Sequence, residues 1–433
     1  MAGQLLLGLS ILVFVHELGH FVAARMFGIR VDKFYLFFDA GGFRLFHFKI
    51  GETEYGIGWL PLGGYCKIAG MVDESMDKEN LKKAPQPWEY RSKPAWQRLI
   101  VVSAGVIMNL LTGIFIFTGI LLHDAKGFIP TEEVNKNGIY AYAPARQIGF
   151  RTGDKILGTK KKVPERFYDA FPNSILLGGK IKVLRDGKTL EIEIPSNTYK
   201  QLAADSTRLP FLDFSNHPLI VDTAVPGYPA HEAGIRSGDR IIRVNDLPVP
   251  TFGAFKETVA ACKNLTVPVL AVRQGDTLGF EVTVNGNGMV GILARTSIPS
   301  RSYTVSNALK YGTLDAFDLL RTNIRGLGKI FNGEEKASES VSGPIGIATI
   351  YGATWNWPRF WYITGMLSLV LAFMNILPVP GLDGGHFLFT LYELTTRRKV
   401  SDKVLETAQM IGMGILFALI IWVFANDIFK LFR

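Results

Sequence analysis

The chain has 433 residues, 48% of them hydrophobic and only 20% charged, which is too apolar for an ordinary soluble multidomain protein and makes a membrane protein the first expectation. Its 45 Gly and 21 Pro follow no period, excluding collagen-like and low-complexity architectures. The net charge of +9 comes with no long basic run and no aromatic-interleaved basic stripe, so nucleic acid is not an expected partner.

Met1 to Ala24 is apolar except for Gln4, Ser10 and the cluster His16, Glu17 and His20. It lacks the positive start of a signal peptide, and three ionisable groups interrupt its apolar core, so a retained helix is expected. His16-Glu17-Leu18-Gly19-His20 is an HExxH pattern. On a helix the i, i+4 spacing sets both imidazoles on one face, within reach of a single metal ion, zinc first. Glu17 points about 100° away, which suits a base beside activated water better than a third ligand. The alternative is that these groups only tie helices together, although ionisable residues inside a membrane are costly and more often functional.

Arg25 to Arg98 carries 12 Lys and Arg. Within it, Glu52 to Lys67 (ETEYGIGWLPLGGYCK) combines β-prone residues with Gly and Pro and reads as a hairpin. Leu99 to Leu122 is an uncharged stretch of 24 residues, ample for one crossing.

Beyond it lies a repeat. Pro144-Ala145, Gly149, Gly153-Asp154 and Ile156 match Pro229-Ala230, Gly234, Gly238-Asp239 and Ile241 at an offset of 85 residues. Each copy predicts a short helix, a Gly-Asp turn and an Ile-rich strand. The pattern resembles the circularly permuted bacterial PDZ domain, which implies two α+β modules, 127–213 and 214–295. Such modules hold extended peptides at a sheet edge or screen access sterically, and two inert spacers are the alternative. In 305–350, apolar residues recur at helical spacing from Leu309 to Phe331 beside Lys310, Asp315, Arg321, Arg325 and Lys329. That amphipathic helix either lies on the membrane surface or packs on the modules.

Phe360 to Leu382 is again uncharged, and Pro378, Pro380 and Gly381 should end its helix. A hydrolytic zinc needs a third protein ligand, and Asp383, in Asn375-Ile-Leu-Pro-Val-Pro-Gly-Leu-Asp-Gly-Gly385, is the candidate. On its own, Asp-Gly-Gly reads as a turn. Ala408 to Ala425 supplies a fourth apolar stretch of 18. Lys and Arg in 25–98 and at Arg397, Arg398, Lys399 and Lys403 place those segments in the cytoplasm, and both termini and the region from His123 to about Arg359 outside. Helices one and three then run in the same direction, so His16, His20 and Asp383 share the cytoplasmic half. Cys66 and Cys262 fall on opposite sides, which excludes a disulfide framework.

HExxH in a first membrane helix with N-x-x-P-x-P-x-L-D-G-G in a later one resembles the site-2 protease family. The tandem insert between helices two and three narrows the likeness to its RseP type. The expected fold is a polytopic α-helical membrane protein with four transmembrane helices (1–24, 99–122, 358–385 carrying the LDGG motif, 407–428), a membrane-associated β-hairpin at about 52–67 within a cytoplasmic-side segment 25–98, and two inserted PDZ domains. The resemblance implies one Zn2+ per chain on His16, His20 and Asp383, and Glu17 as catalytic acid and base. It further implies substrate contacts at Asn375, Pro378, Pro380, Asn109 and the strand Tyr55-Gly56-Ile57-Gly58. Asn375 reads equally as a helix–helix hydrogen-bond donor. Val106 stands where the family's second helix often has proline, which predicts a straighter helix. Implied partners are membrane lipid, single-pass proteins such as an anti-sigma factor, and signal peptides, at a bacterial inner membrane with the modules and both termini periplasmic. A membrane-tethered PDZ scaffold that has lost its metal, and a metal enzyme acting on lipid or soluble peptide, are the rival readings.

Overall fold

The computed structural model describes residues 1–71, 84–124, 127–159, 162–204, 209–295 and 298–432; Lys78, Lys82 and Lys83, three of the basic residues counted above, lie outside them. The chain forms two compact units, Met1–His123 with Thr304–Arg433, and Asp124–Tyr303.

In the first unit the long helices are α1 (Ala2–Met26), α2 (Ala95–His123), α3 (Val305–Phe331), α4 (Pro344–Tyr351), α5 (Trp357–Ile376), α6 (Asp383–Thr396) and α7 (Asp402–Leu431). Four of these, α1, α2, α5 and α7 over Lys403–Lys430, are long and apolar enough to cross a membrane. α2 is the central element, with α1, α3, α5 and α6 packed on it. Small residues set these approaches: Gly19 of α1 lies on the Ala104 carbonyl, and Gly113 of α2 on Leu369 of α5. Gly312 seats α3 on Thr118 of α2, and Ala316 joins Phe117 and Leu369. Ala308, Gly312 and Ala316, four residues apart, strip that face of bulk and let the two backbones close.

Expected helix three ends at Ile376, and the LDGG residues instead open α6. Pro378 and Pro380 donate no backbone hydrogen bond, and Gly381 holds φ 100°, so the chain breaks between the two helices. α7 is tied down at two points. A Cβ at Gly412 would collide with the Pro380 carbonyl, and near the far end the Asp427 carboxylate accepts from the amides of Gly343, Ile345 and Gly346 at 2.8, 2.9 and 3.0 Å, capping α4.

Between α1 and α2 lies a mixed sheet of β1 (Val31–Phe38), β2 (Arg44–Ile50), β3 (Thr53–Gly58) and β4 (Leu60–Ile68), in the order β2-β3-β1-β4. This corrects the hairpin expected at 52–67: β3 and β4 are not neighbours, since β1 separates them, parallel to β3 and antiparallel to β4. The hairpin that forms is β2–β3, turning at Gly51, φ 59°. β1 is buried at Val31, Phe34 and Tyr35 and packs against α1, so both its edges need partners; local turn signals cannot reveal that demand.

The second unit holds two separate cores, over Val134–Leu212 and Leu219–Val290. In the first, Lys155–Gly158, Gly179–Arg185 and Lys188–Ile194 form an antiparallel sheet, and Tyr140–Ala141 pairs with Leu212–Asp213. In the second, Arg240–Val244, Thr266–Arg273 and Asp276–Thr283 repeat that sheet, and Val221–Ala224 pairs with Ile292–Ala294. The repeated residues earn their recurrence by one shared device. Ala145 and Ala230 are fully buried, Gly149 and Gly234 hold φ 110° and 89°, and Gly153 and Gly238 hold φ 97° and 92°. Buried Asp154 accepts from the Arg151 amide and from Arg185, which also reaches the Gly149 carbonyl. Asp239 does the same with the Arg236 amide, Arg273 and the Gly234 carbonyl. Between the cores, Glu257 on the helix Phe252–Ala261 bonds the Tyr140 hydroxyl and Arg146, and Lys256 pairs with Asp213.

Burial by itself would raise the Asp239 carboxyl, but the Arg273 guanidinium and the Arg236 amide outweigh it and hold the group below the usual carboxylate range. A depressed folded-state value means the clamp contributes fully above the ordinary carboxylate pKa and fades as pH falls below about 4. Arg273→Met should therefore lower the stability of the second module at neutral pH, because it leaves the buried Asp239 carboxylate without its guanidinium partner. Hydrogen exchange across Thr266–Arg273 measures this, and protection there should fall with acidification more steeply in the parent protein than in the variant.

Candidate active site

α1 carries His16, Glu17 and His20, and the first turn of α6 carries Asp383. His16 Nε2 lies 3.2 Å and His20 Nε2 3.3 Å from Asp383 Oδ2, and the two Nε2 atoms are 3.3 Å apart. A tetrahedral zinc with ligands at about 2.0–2.1 Å requires ligand separations of roughly 3.3–3.4 Å, so these three atoms have the spacing of one face of such a site and could hold a metal ion. Their hydrogen bonding fits a cation between them. His20 Nδ1 donates to the Val101 carbonyl at 2.9 Å, which leaves Nε2 as a lone pair aimed at a carboxylate oxygen. Asp383 Oδ2 is itself buried and has no hydrogen-bond partner. Lone pairs facing one another in an apolar bundle repel unless a positive ion sits among them.

The surroundings position these ligands. A Cβ at Gly105 of α2 would collide with His20 Nε2 and His16, so this glycine makes room for both rings. Asn109 Nδ2 lies 3.2 Å from His16 Nδ1, while Asn109 Oδ1 is buried without a partner. A half-turn of that amide presents Oδ1 to Nδ1–H and frees Nε2 as the lone pair. Asn109 is 1% exposed, and its amide lies against His16. Ser368 of α5 donates to its backbone carbonyl at 2.7 Å, fixing α5 at the same level. Glycine is also required at 384 and 385, where a Cβ would strike the Leu377 carbonyl and Pro380. The apparent Asp-Gly-Gly turn is thus a helix start folded tightly under the end of α5.

The expected substrate residues divide. Asn375 Nδ2 is 3.4 Å from His16 Nε2, beside the ligand triangle. Pro378 is exposed, whereas Pro380 turns its backbone onto Gly412 of α7. Tyr55, Gly56, Ile57 and Gly58 lie in β3, whose two edges are both paired, so that strand cannot accept another. Among the described residues the outer edge of β4 pairs with no strand. It is β4 that reaches the site: Gly64 lies against Val13 and Glu17, and the Cys66 backbone hydrogen-bonds the Glu17 carboxylate. Sequence reasoning missed Val101, Gly105, Cys66 and Gly412. A glycine inside a long apolar helix was the available signal for Gly105 and Gly412.

The model of peptidase family M50 matches residues 4–419. The chain belongs to peptidase family M50. Among similar M50 proteins are the "Regulator of sigma E protease" of Haemophilus influenzae, 28% identical over 99% of this chain and 98% of that one, and the "Regulator of sigma-E protease RseP" of Escherichia coli, 27% identical over 98% of each. A putative zinc metalloprotease of Clostridium perfringens is 25% identical over 98% of this chain and 97% of its own length. This M50 chain is accordingly a zinc metalloprotease, of the site-2 protease kind.

Gly105→Ala should displace both imidazoles and reduce bound zinc to under about a tenth of the parent's content, an effect expected of a lost ligand geometry. Gly113→Ala, at an equally close crossing that meets the Leu369 side chain and the Gly365 carbonyl but neither imidazole, should keep its zinc. Elemental analysis of the two purified proteins distinguishes them.

Proposed function

We propose that this zinc protease hydrolyses peptide bonds within membrane-spanning segments of single-pass proteins, with zinc on His16, His20 and Asp383. The carrying observation is the triangle of 3.2, 3.3 and 3.3 Å between three ligand atoms contributed by two separate helices. Three protein ligands with a fourth position open suit a catalytic rather than a structural zinc, and zinc held there supplies Lewis acidity to water and to a carbonyl.

The remaining work falls to the chain. Glu17, with its carboxylate steadied by the Cys66 backbone, takes the proton of the attacking water and returns it to the leaving amine. Asn375, beside His16 Nε2, offers a donor to the substrate carbonyl. A helical substrate hides its carbonyls in its own hydrogen bonds and must unwind before cleavage. The open edge of β4 gives the unwound segment a strand to pair with and leads it past Glu17. Asn375 and the exposed Pro378 are the side chains we expect that segment to touch.

We read the two modules as PDZ domains that exclude substrates not yet trimmed outside the membrane. The duplicated Asp–Arg clamps and sheet pairings support that reading. The proposed substrates are an anti-sigma factor and signal-peptide remnants. We place the chain in a bacterial inner membrane with both termini and the modules periplasmic, on the strength of the Lys and Arg in 25–98 and 397–403. A metal-free scaffold has no use for three converging ligands or for a glycine that accommodates their rings.

Glu17→Gln should abolish cleavage of a purified single-span substrate while retaining zinc, whereas Asp383→Asn should lose both. For Glu17→Gln the expected fall in turnover is about 10²-fold or more, the scale of a lost general base. Cleavage at the parental rate by that variant would remove Glu17 from the mechanism.

A further inference from the structure

A cavity of about 230 Å3 opens where the start of α2 meets α6 and the start of α7, lined by none of the proposed zinc ligands. Its polar lining is unbalanced. Arg98 is paired with Glu393 at 2.6 Å, both side chains largely buried, and Arg91 is paired with Glu89 at 2.6 Å. Lys399, which also lines the cavity, makes no ion pair or hydrogen bond among the described residues. Tyr90 and Thr390 also line it, and the Tyr90 hydroxyl, on a residue only 7% exposed, sits near Thr390 without a close hydrogen bond. Burial pushes this hydroxyl up to about 12, so at neutral pH it is a proton donor. Lys399 is exposed and both guanidinium groups face the cavity rim, so the lining favours an occupant that accepts hydrogen bonds and carries negative charge.

Two guanidinium forks, an ammonium and a hydroxyl are the donor set of a phosphate site. The depth fits as well. The cavity lies at the ends of two candidate spans, the level where lipid headgroups lie, and Leu405 contributes an apolar wall. We propose that this cavity binds a phosphate-bearing anion, supplied either by an anionic phospholipid headgroup or by free phosphate. It is independent of the proteolytic assignment, since none of the residues proposed to bind zinc or substrate lines it.

The test is a thermal-shift titration of the full chain in uncharged detergent with short-chain phosphatidylglycerol, short-chain phosphatidylcholine and inorganic phosphate. Saturable stabilisation by phosphatidylglycerol but not phosphatidylcholine is expected. Its affinity should weaken about tenfold in Lys399→Gln and about threefold in Tyr90→Phe, as expected for loss of a charged and of a neutral hydrogen bond. Lys49→Gln, an exposed lysine on β2, should match the parent. Saturation by phosphatidylglycerol alone identifies the lipid as the source, and equal saturation by inorganic phosphate identifies free phosphate. The proposal is overturned if neither anion saturates, if phosphatidylcholine binds equally well, or if Lys399→Gln and Tyr90→Phe both bind with the parental affinity.

Discussion

Two imidazole nitrogens and a carboxylate oxygen, held within 3.3 Å of one another inside an apolar helix bundle, call for a shared positive charge. Much of the first unit is arranged around meeting that demand. Gly19 brings α1 against the Ala104 carbonyl, and Gly105 vacates the volume that the two rings occupy. The Val101 carbonyl and the Asn109 amide fix the ring orientations from the same helix. The proline-interrupted turn between α5 and α6 swings Asp383 in from a different part of the chain, and Gly412 lets α7 lie directly on that turn.

The sheet serves the same centre from the other side. Because β1 claims partners on both edges, β4 is pushed outward and its remaining edge runs beside Glu17. An unpaired strand edge is ordinarily a liability, since its amides and carbonyls invite other chains. Next to the proposed site the same property would let an unwound peptide pair with β4.

The second unit shows how little sequence a repeated fold needs. The two modules share a handful of residues, and those are the ones that a turn with positive φ, a fully buried alanine and a buried aspartate require. The guanidinium partners, Arg185 and Arg273, come from a strand further on, where the spacing between copies has already slipped from 85 to 88 residues, so a fixed-offset match passes over them.

What the sequence determined by itself was everything set by local periodicity or by chemistry at short spacing. Four apolar stretches announced the spans, HExxH put two imidazoles on one helical face, and the doubled Gly-Asp motif announced two modules. Asp383 was legible because two prolines and three glycines around a carboxylate make little sense in an uninterrupted membrane helix. Tertiary structure decided what depends on partners distant in the chain. It placed β1 between β3 and β4, moved the open edge away from Tyr55–Gly58, turned Asn109 inward onto His16, and seated α3 on α2. Strand order, side-chain direction and helix contact are set by which surfaces must be buried together, and nearest neighbours in sequence carry no record of that choice.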